Sequence, residues 1–127
     1  MDLRPPALLT LLLAAAAAGA HHSIASIYDG YRQITLEGVI TEFRFVNPHP
    51  RILVRVSAVG AEQAWTFEMD NRWELAELGF EPETLRPGDR IVVTGNPGRV
   101  DAATLYVRRL ERPADGFSYD HHPTNLR

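Results

Sequence analysis

The chain has 127 residues, with 13 arginines, no lysine, 16 carboxylates, five histidines, no cysteine and a formal net charge of −3. That length suits one domain. The missing cysteines exclude a disulfide framework and any thiolate metal site, and a mildly acidic chain without a basic stripe argues against a nucleic-acid partner.

The first element is an export signal. Arg4 and Pro5-Pro6 precede an uncharged Leu/Ala run from Ala7 to Ala18, and the small residues Ala18 and Ala20 fit a signal-peptidase site. The run is short of the ~20 apolar residues that a membrane helix needs. Cleavage after Ala20 is therefore expected, giving a mature chain that starts at His21 in the periplasm or outside the cell, with no membrane span left. Lipoprotein processing is excluded because there is no cysteine to modify.

Ile34 to Val46 reads as a long strand whose apolar phase changes, with a bulge expected at Gly38. Asn47-Pro48-His49-Pro50 is a turn. Ile52, Val54 and Val56 alternate with Leu53, Arg55 and Ser57 in a second strand, and Trp65, Phe67 and Met69 mark a third. Asn71 and Glu74 have capping-box spacing for a short helix that Gly79 ends. Pro82 to Leu85 adds a helical turn. Arg90 to Gly95 and Ala103 to Leu110 are strands four and five, joined through Asn96-Pro97-Gly98. Three strands, a helix and two strands make a mainly β chain, a five-stranded OB-like barrel with one short helix between strands 3 and 4. The expected division is residues 1–20 signal peptide, 21–112 barrel domain and 113–127 irregular tail.

Three short motifs stand in order: Ala20-His21-His22-Ser23, Asn47-Pro48-His49, and Pro87-Gly88-Asp89 leading to Gly95. With them the chain resembles a family of small exported bacterial proteins of unknown function, over nearly all of the mature chain up to Arg112. The resemblance implies an exported compartment and a small β-rich fold, and no activity. Tyr119-Asp120-His121-His122 lies outside its pattern.

All five histidines fall outside the expected strands and helix. A free His21 amine, a group that ordinarily titrates at about pH 7.7–8.0, gives up its proton readily to a metal. Amine and His21 imidazole close a chelate ring, and a further imidazole, best supplied by His49, completes a T-shaped brace. In a second mode the amine, the intervening amide and His22 bind Cu(II) without the barrel. The competing reading is a flexible polar start. Pro48 and Pro50 stiffen the backbone around His49, which serves a ligand or simply a turn. Asp120-His121-His122 could bind metal or pair a carboxylate with an imidazole; a frayed end is the simpler reading.

Glu68, Asp70 and Glu74 form an acidic group, with Asp70 and Glu74 read as charges favouring the helix N-terminus. Trp65 and Trp73 read as core. No nucleophile elbow, phosphate loop or HExxH occurs. The expectation is an exported binding protein rather than an enzyme, holding a transition metal through His21, His49 and, alternatively, His22. Nitrogen-rich, thiolate-free ligands place copper first and zinc second. The alternative is a metal-free module for a small ligand or an envelope protein partner.

Overall fold

The structure, a computed structural model, describes residues 23–121. The expected signal peptide, His21, His22 and His122 lie outside the described residues. The order is α1 (Ser23–Ile27), β1 (Ile34–Arg44), β2 (Arg51–Ala58), β3 (Ala61–Glu68), α2 (Arg72–Glu77), β4 (Arg90–Pro97), β5 (Thr104–Arg112) and β6 (Phe117–Asp120). The strands form one sheet in the order β3-β2-β1-β4-β5-β6, and a parallel β3–β5 pairing closes it into a five-stranded OB-like barrel.

Period-two alternation explains the interior. Ile52, Val54 and Val56 of β2 are buried, as are Phe67 of β3 and Ile91 and Val93 of β4. The sequence pattern and the fold agree here because one strand face meets the core and the other meets water.

β1 bends, but not at Gly38. Its register with β2 shifts between Ile40 and Glu42, so Thr41 is the extra residue of the bulge, and its hydroxyl donates to the Leu53 carbonyl at 3.1 Å. Gly38 is needed for a different reason. A Cβ there would lie 2.5 Å from a Val54 methyl and 2.6 Å from the Arg55 carbonyl. The glycine permits close approach of β2, while the phase change comes three residues later.

α2 is built as its sequence requires. Asn71 caps it, accepting from the Glu74 amide at 2.9 Å and donating to the Glu74 carboxylate at 2.8 Å. Leu75 is fully buried at the barrel end. Trp73 is not core: it is 67% exposed, because the buried stripe of this six-residue helix has room for Leu75 alone. Trp65 is partly buried against the core. Residues 82–85 form turns rather than a helical segment.

The expected irregular tail is a correction. Phe117–Asp120 is a strand, with Leu110 opposite Tyr119 and Arg109 opposite Asp120. β5 shares its outer edge: β3 pairs with Thr104, Leu105 and Tyr106, and β6 pairs with Arg109 to Arg112. Tyr119 is buried and meets Phe80 edge-on at 5.6 Å. Its burial holds a strand too short to show a period of its own.

Gly95 is the tightest backbone approach of the barrel. A Cβ there would sit 2.2 Å from the Tyr106 carbonyl and 2.9 Å from Leu105. Gly95→Ala is expected to cost about 1–3 kcal/mol in urea unfolding, the range of an overpacked core. Gly30→Ala, with nothing within 4 Å, should stay within about 0.5 kcal/mol.

Candidate metal centre

The end of β3 continues into Met69 and Asp70, both buried. Asp70 is surrounded by donors. Tyr106 donates to Oδ1 at 2.6 Å, the Tyr119 hydroxyl donates to Oδ2, and His121 Nδ1 stands 2.5 Å from Oδ2. Closure of the barrel sets this up: the β3–β5 register puts Glu68 opposite Tyr106, two residues before Asp70. β6 delivers Tyr119, and His121 follows it by the strand period of two.

Burial by itself would raise the Asp70 carboxyl. Hydrogen bonds from His121, Tyr106 and Tyr119 outweigh it and hold the group below the ordinary aspartate value. An ionised carboxylate only accepts, so both hydroxyls and His121 Nδ1 must donate. Tyr106 and Tyr119 are pushed up, first by burial and then by their bonds to the anion.

A second layer continues outward. Tyr28, just past α1, packs on Tyr106 with ring centroids 5.5 Å apart and donates to Glu68 at 2.6 Å. Its hydroxyl is also raised, by burial and then by Glu68. The Arg108 guanidinium lies over the Tyr106 ring, 5.2 Å from its centroid, and bonds Asn96 Oδ1 at 2.5 Å. Arg108 is the extra residue of a second bulge, where Thr94 faces Arg109 and Gly95 faces Val107. Its carbonyl accepts from the His121 amide at 2.8 Å. The bulge therefore helps to seat His121, a use of bulges common beside functional sites.

His49 is held by the neighbouring residue. Its Nδ1 bonds the Met69 carbonyl at 2.8 Å. A carbonyl only accepts, so Nδ1 carries the proton, and in the neutral ring Nε2 keeps the lone pair. Its loop is fastened to the β3–α2 junction: the Met69 amide donates to the Pro50 carbonyl at 3.0 Å, the Arg72 amide to the Pro48 carbonyl at 3.2 Å, and Arg72 Nε to the Phe45 carbonyl at 3.2 Å.

Two imidazoles thus hang from consecutive residues, His49 from Met69 and His121 from Asp70. Among the described residues, no group of three or more His, Cys, Asp or Glu side chains converges to hold a metal ion. His21 and His22, the other expected ligands, are outside the described residues. The acidic group also divides differently from the sequence expectation. Glu74 serves the cap and Glu68 takes Tyr28, but Asp70 is a buried acceptor with three donors rather than a helix-dipole charge. Phe117-x-Tyr119-x-His121 carried the missed signal, a strand alternation ending on an imidazole.

A family model described as "Family of unknown function (DUF6152)" matches residues 9–106. The chain belongs to this family. Asp70, Tyr106 and His49 fall within the match, and Tyr119 and His121 follow it. No curated protein matches the chain. Among solved structures, a TiaS mutant lacking its ZRD, in complex with agmatine, is similar with a TM-score of 0.55 at 16% identity over 78% of this chain. The chain spans 28% of that protein. The mitochondrial single-stranded DNA-binding protein Rim1 of S. cerevisiae gives 0.48 at 14% identity, covering 63% of this chain and 91% of its own. The S. pombe Stn1–Ten1 complex gives 0.49 at 14%, covering 66% and 62%. At these identities the likeness is one of fold.

The cluster makes stability depend on pH at both ends. The lowered Asp70 group contributes stability that is present above about pH 4 and lost as pH falls through its folded value. The raised tyrosines contribute stability that is present below about pH 10 and lost as pH rises. Thermal melts across pH should show both limbs. Asp70→Ala, which orphans two hydroxyls and one ring N–H at about 1–3 kcal/mol each, should lower the melting temperature most between pH 5 and 8 and flatten the acid limb.

Proposed function

We propose that the mature protein is an exported metal-binding barrel domain, with Cu(II) as the preferred ion and Zn(II) second. Its ligands are the His21 amine and imidazole together with His49, and His22 is the alternate. The observation that supports this reading most directly is the His49–Met69 hydrogen bond. Metal-ligating histidines characteristically donate their other ring N–H to a carbonyl or carboxylate, which fixes ring and tautomer. His49 has that arrangement on a loop bounded by prolines and tied to the β3–α2 junction.

The chemistry of the donor set fits copper. Imidazole and amine nitrogens without thiolate suit Cu(II), where the affinity order for divalent ions peaks. The amine exists only after cleavage at Ala20, so export and metal binding are one proposal. Rim1, Stn1–Ten1 and TiaS add no ligand to it, since their likeness is confined to the fold.

The test is calorimetric titration of protein recovered after export, its N-terminus at His21 verified by mass. One Cu(II) per chain should bind, more tightly as pH rises from 6 to 8 because binding displaces a proton. His49→Ala should weaken binding by at least about tenfold, comparable to losing an outer partner of a ligand. Acetylation of the His21 amine should do the same, since it removes the amine as a donor. If correctly processed protein binds neither Cu(II) nor Zn(II), the function is instead that of a metal-free interaction module.

A further inference from the structure

The outer face of the barrel carries a depression of about 240 Å³. Four strands line it: Glu37 and Val39 on β1, Arg55 and Ser57 on β2, Glu62 on β3 and Arg90 on β4. The sheet register explains the grouping. Val39 stands opposite Arg55 on one side and Arg90 on the other, and Ser57 stands opposite Glu62. These positions alternate with the buried Ile40, Val54, Val56, Phe67 and Ile91, so the strand period turns them all outward.

Two arginines and two glutamates make the depression neutral, but its charges are unevenly paired. Arg90 donates to Glu37 at 2.9 Å, which settles one side. Arg55 and Glu62 are exposed, and neither side chain has a hydrogen bond or ion pair among the described residues. Glu62 is the diagonal neighbour of Arg55, because Arg55 faces Ala64. That relation puts their Cα atoms about 7–8 Å apart. An unpaired guanidinium and an unpaired carboxylate therefore stand side by side, with the unbonded Ser57 hydroxyl next to both.

We propose that this depression binds a small zwitterion of the amino-acid class, its carboxylate on Arg55 and its ammonium on Glu62. The site is separate from the metal ligands proposed above. A guanidinium presents a planar fork that matches a carboxylate, and an ammonium donates to carboxylate and hydroxyl oxygens such as those of Glu62 and Ser57. Half-buried Val39 gives an aliphatic side chain an apolar floor. A plain anion meets Glu37 and Glu62 as well as Arg55, and a plain cation meets both arginines. Only a dipolar ligand finds opposite charge at each end. No aromatic side chain lines the depression, so a nucleobase has no stacking platform there. Its volume also lies below the roughly 300–1,000 Å³ of sites for larger ligands. Direct pairing of Arg55 with Glu62 offers little competition, since surface ion pairs are weak.

The experiment is a 15N-resolved NMR titration of the processed, metal-free chain with L-alanine at low ionic strength. Saturable shifts should appear at the Val39, Ser57 and Glu62 amides and at Arg55 Nε–H, with a Kd of about 1 mM, as suits two exposed charge-assisted contacts. Arg55→Gln and Glu62→Gln should each weaken binding at least about tenfold. Both replace exposed side chains, so both variants should fold. Arg51→Gln, on the same strand but outside the depression, should bind as the wild type does. Propionate, which lacks the ammonium, and ethylamine, which lacks the carboxylate, should not saturate the site at about ten times the alanine Kd. Absence of saturable shifts with alanine overturns the proposal, as does undiminished binding by either folded variant. Saturation by propionate or ethylamine as readily as by alanine overturns it too, on wild-type protein alone. None of these outcomes bears on Cu(II) or Zn(II) binding, so the two readings fail separately.

Discussion

A buried, ionised carboxylate is the constraint around which one end of this barrel is arranged. Removing a charge from water is unfavourable unless hydrogen bonds replace the lost hydration. Asp70 obtains them from β5 through Tyr106, from β6 through Tyr119, and from the end of the described chain through His121. Tyr106 lies on β5 while Tyr119 and His121 lie together at the β6 end, so the carboxylate is satisfied only when the barrel is closed and β6 is in register. That makes Asp70 a specificity device as much as a stabilising one. An alternative pairing of β6 would leave the anion short of two donors, Tyr119 and His121, at a cost far larger than a four-residue strand could recover from its own ladder.

The surrounding irregularities serve the same end. The Thr41 bulge turns β1 and brings Phe43 and Phe45 against the core. Arg72 then reaches back to the Phe45 carbonyl, with its guanidinium 4.8 Å from the Phe45 ring centroid. This fixes the loop that carries His49. On the β6 side the Arg108 carbonyl continues the β5–β6 register and accepts from the His121 amide. Two imidazoles are thereby tied to one dipeptide, Met69-Asp70.

The barrel itself was legible in the sequence because its strands obey binary alternation and its helix begins with a capping box. Ile52, Val54, Val56 and Phe67 announce their burial through period, and Asn71 with Glu74 announces the helix start through spacing. What stayed hidden was decided by tertiary partners. Asp70 looks like a helix-dipole charge because it sits one residue before the cap; only Tyr106 and Tyr119, 36 and 49 residues away, make it a buried acceptor. Gly38 looks like a bulge because glycine weakens strands, when its cause is the approach of Val54 and Arg55. β6 has too few residues to display a period. Trp73 is exposed because helix length, not residue type, limits what a six-residue element can bury.

On the proposed function, division of labour between fold and processing follows from these contacts. The barrel supplies one ring, His49, whose Nδ1 proton is already placed, so little entropy is lost when its second nitrogen engages a cation. The export step supplies the amine, the one donor the fold cannot preorganise inside the precursor. A cation joining His21 to His49 would also tie the start of the mature chain to the β3–α2 junction on which His49 hangs. In the His49 mode, which needs the folded loop, the ion's free energy adds to folding as RT ln(1 + [L]/Kd). Metal occupancy and folding of the barrel would then be one equilibrium rather than two.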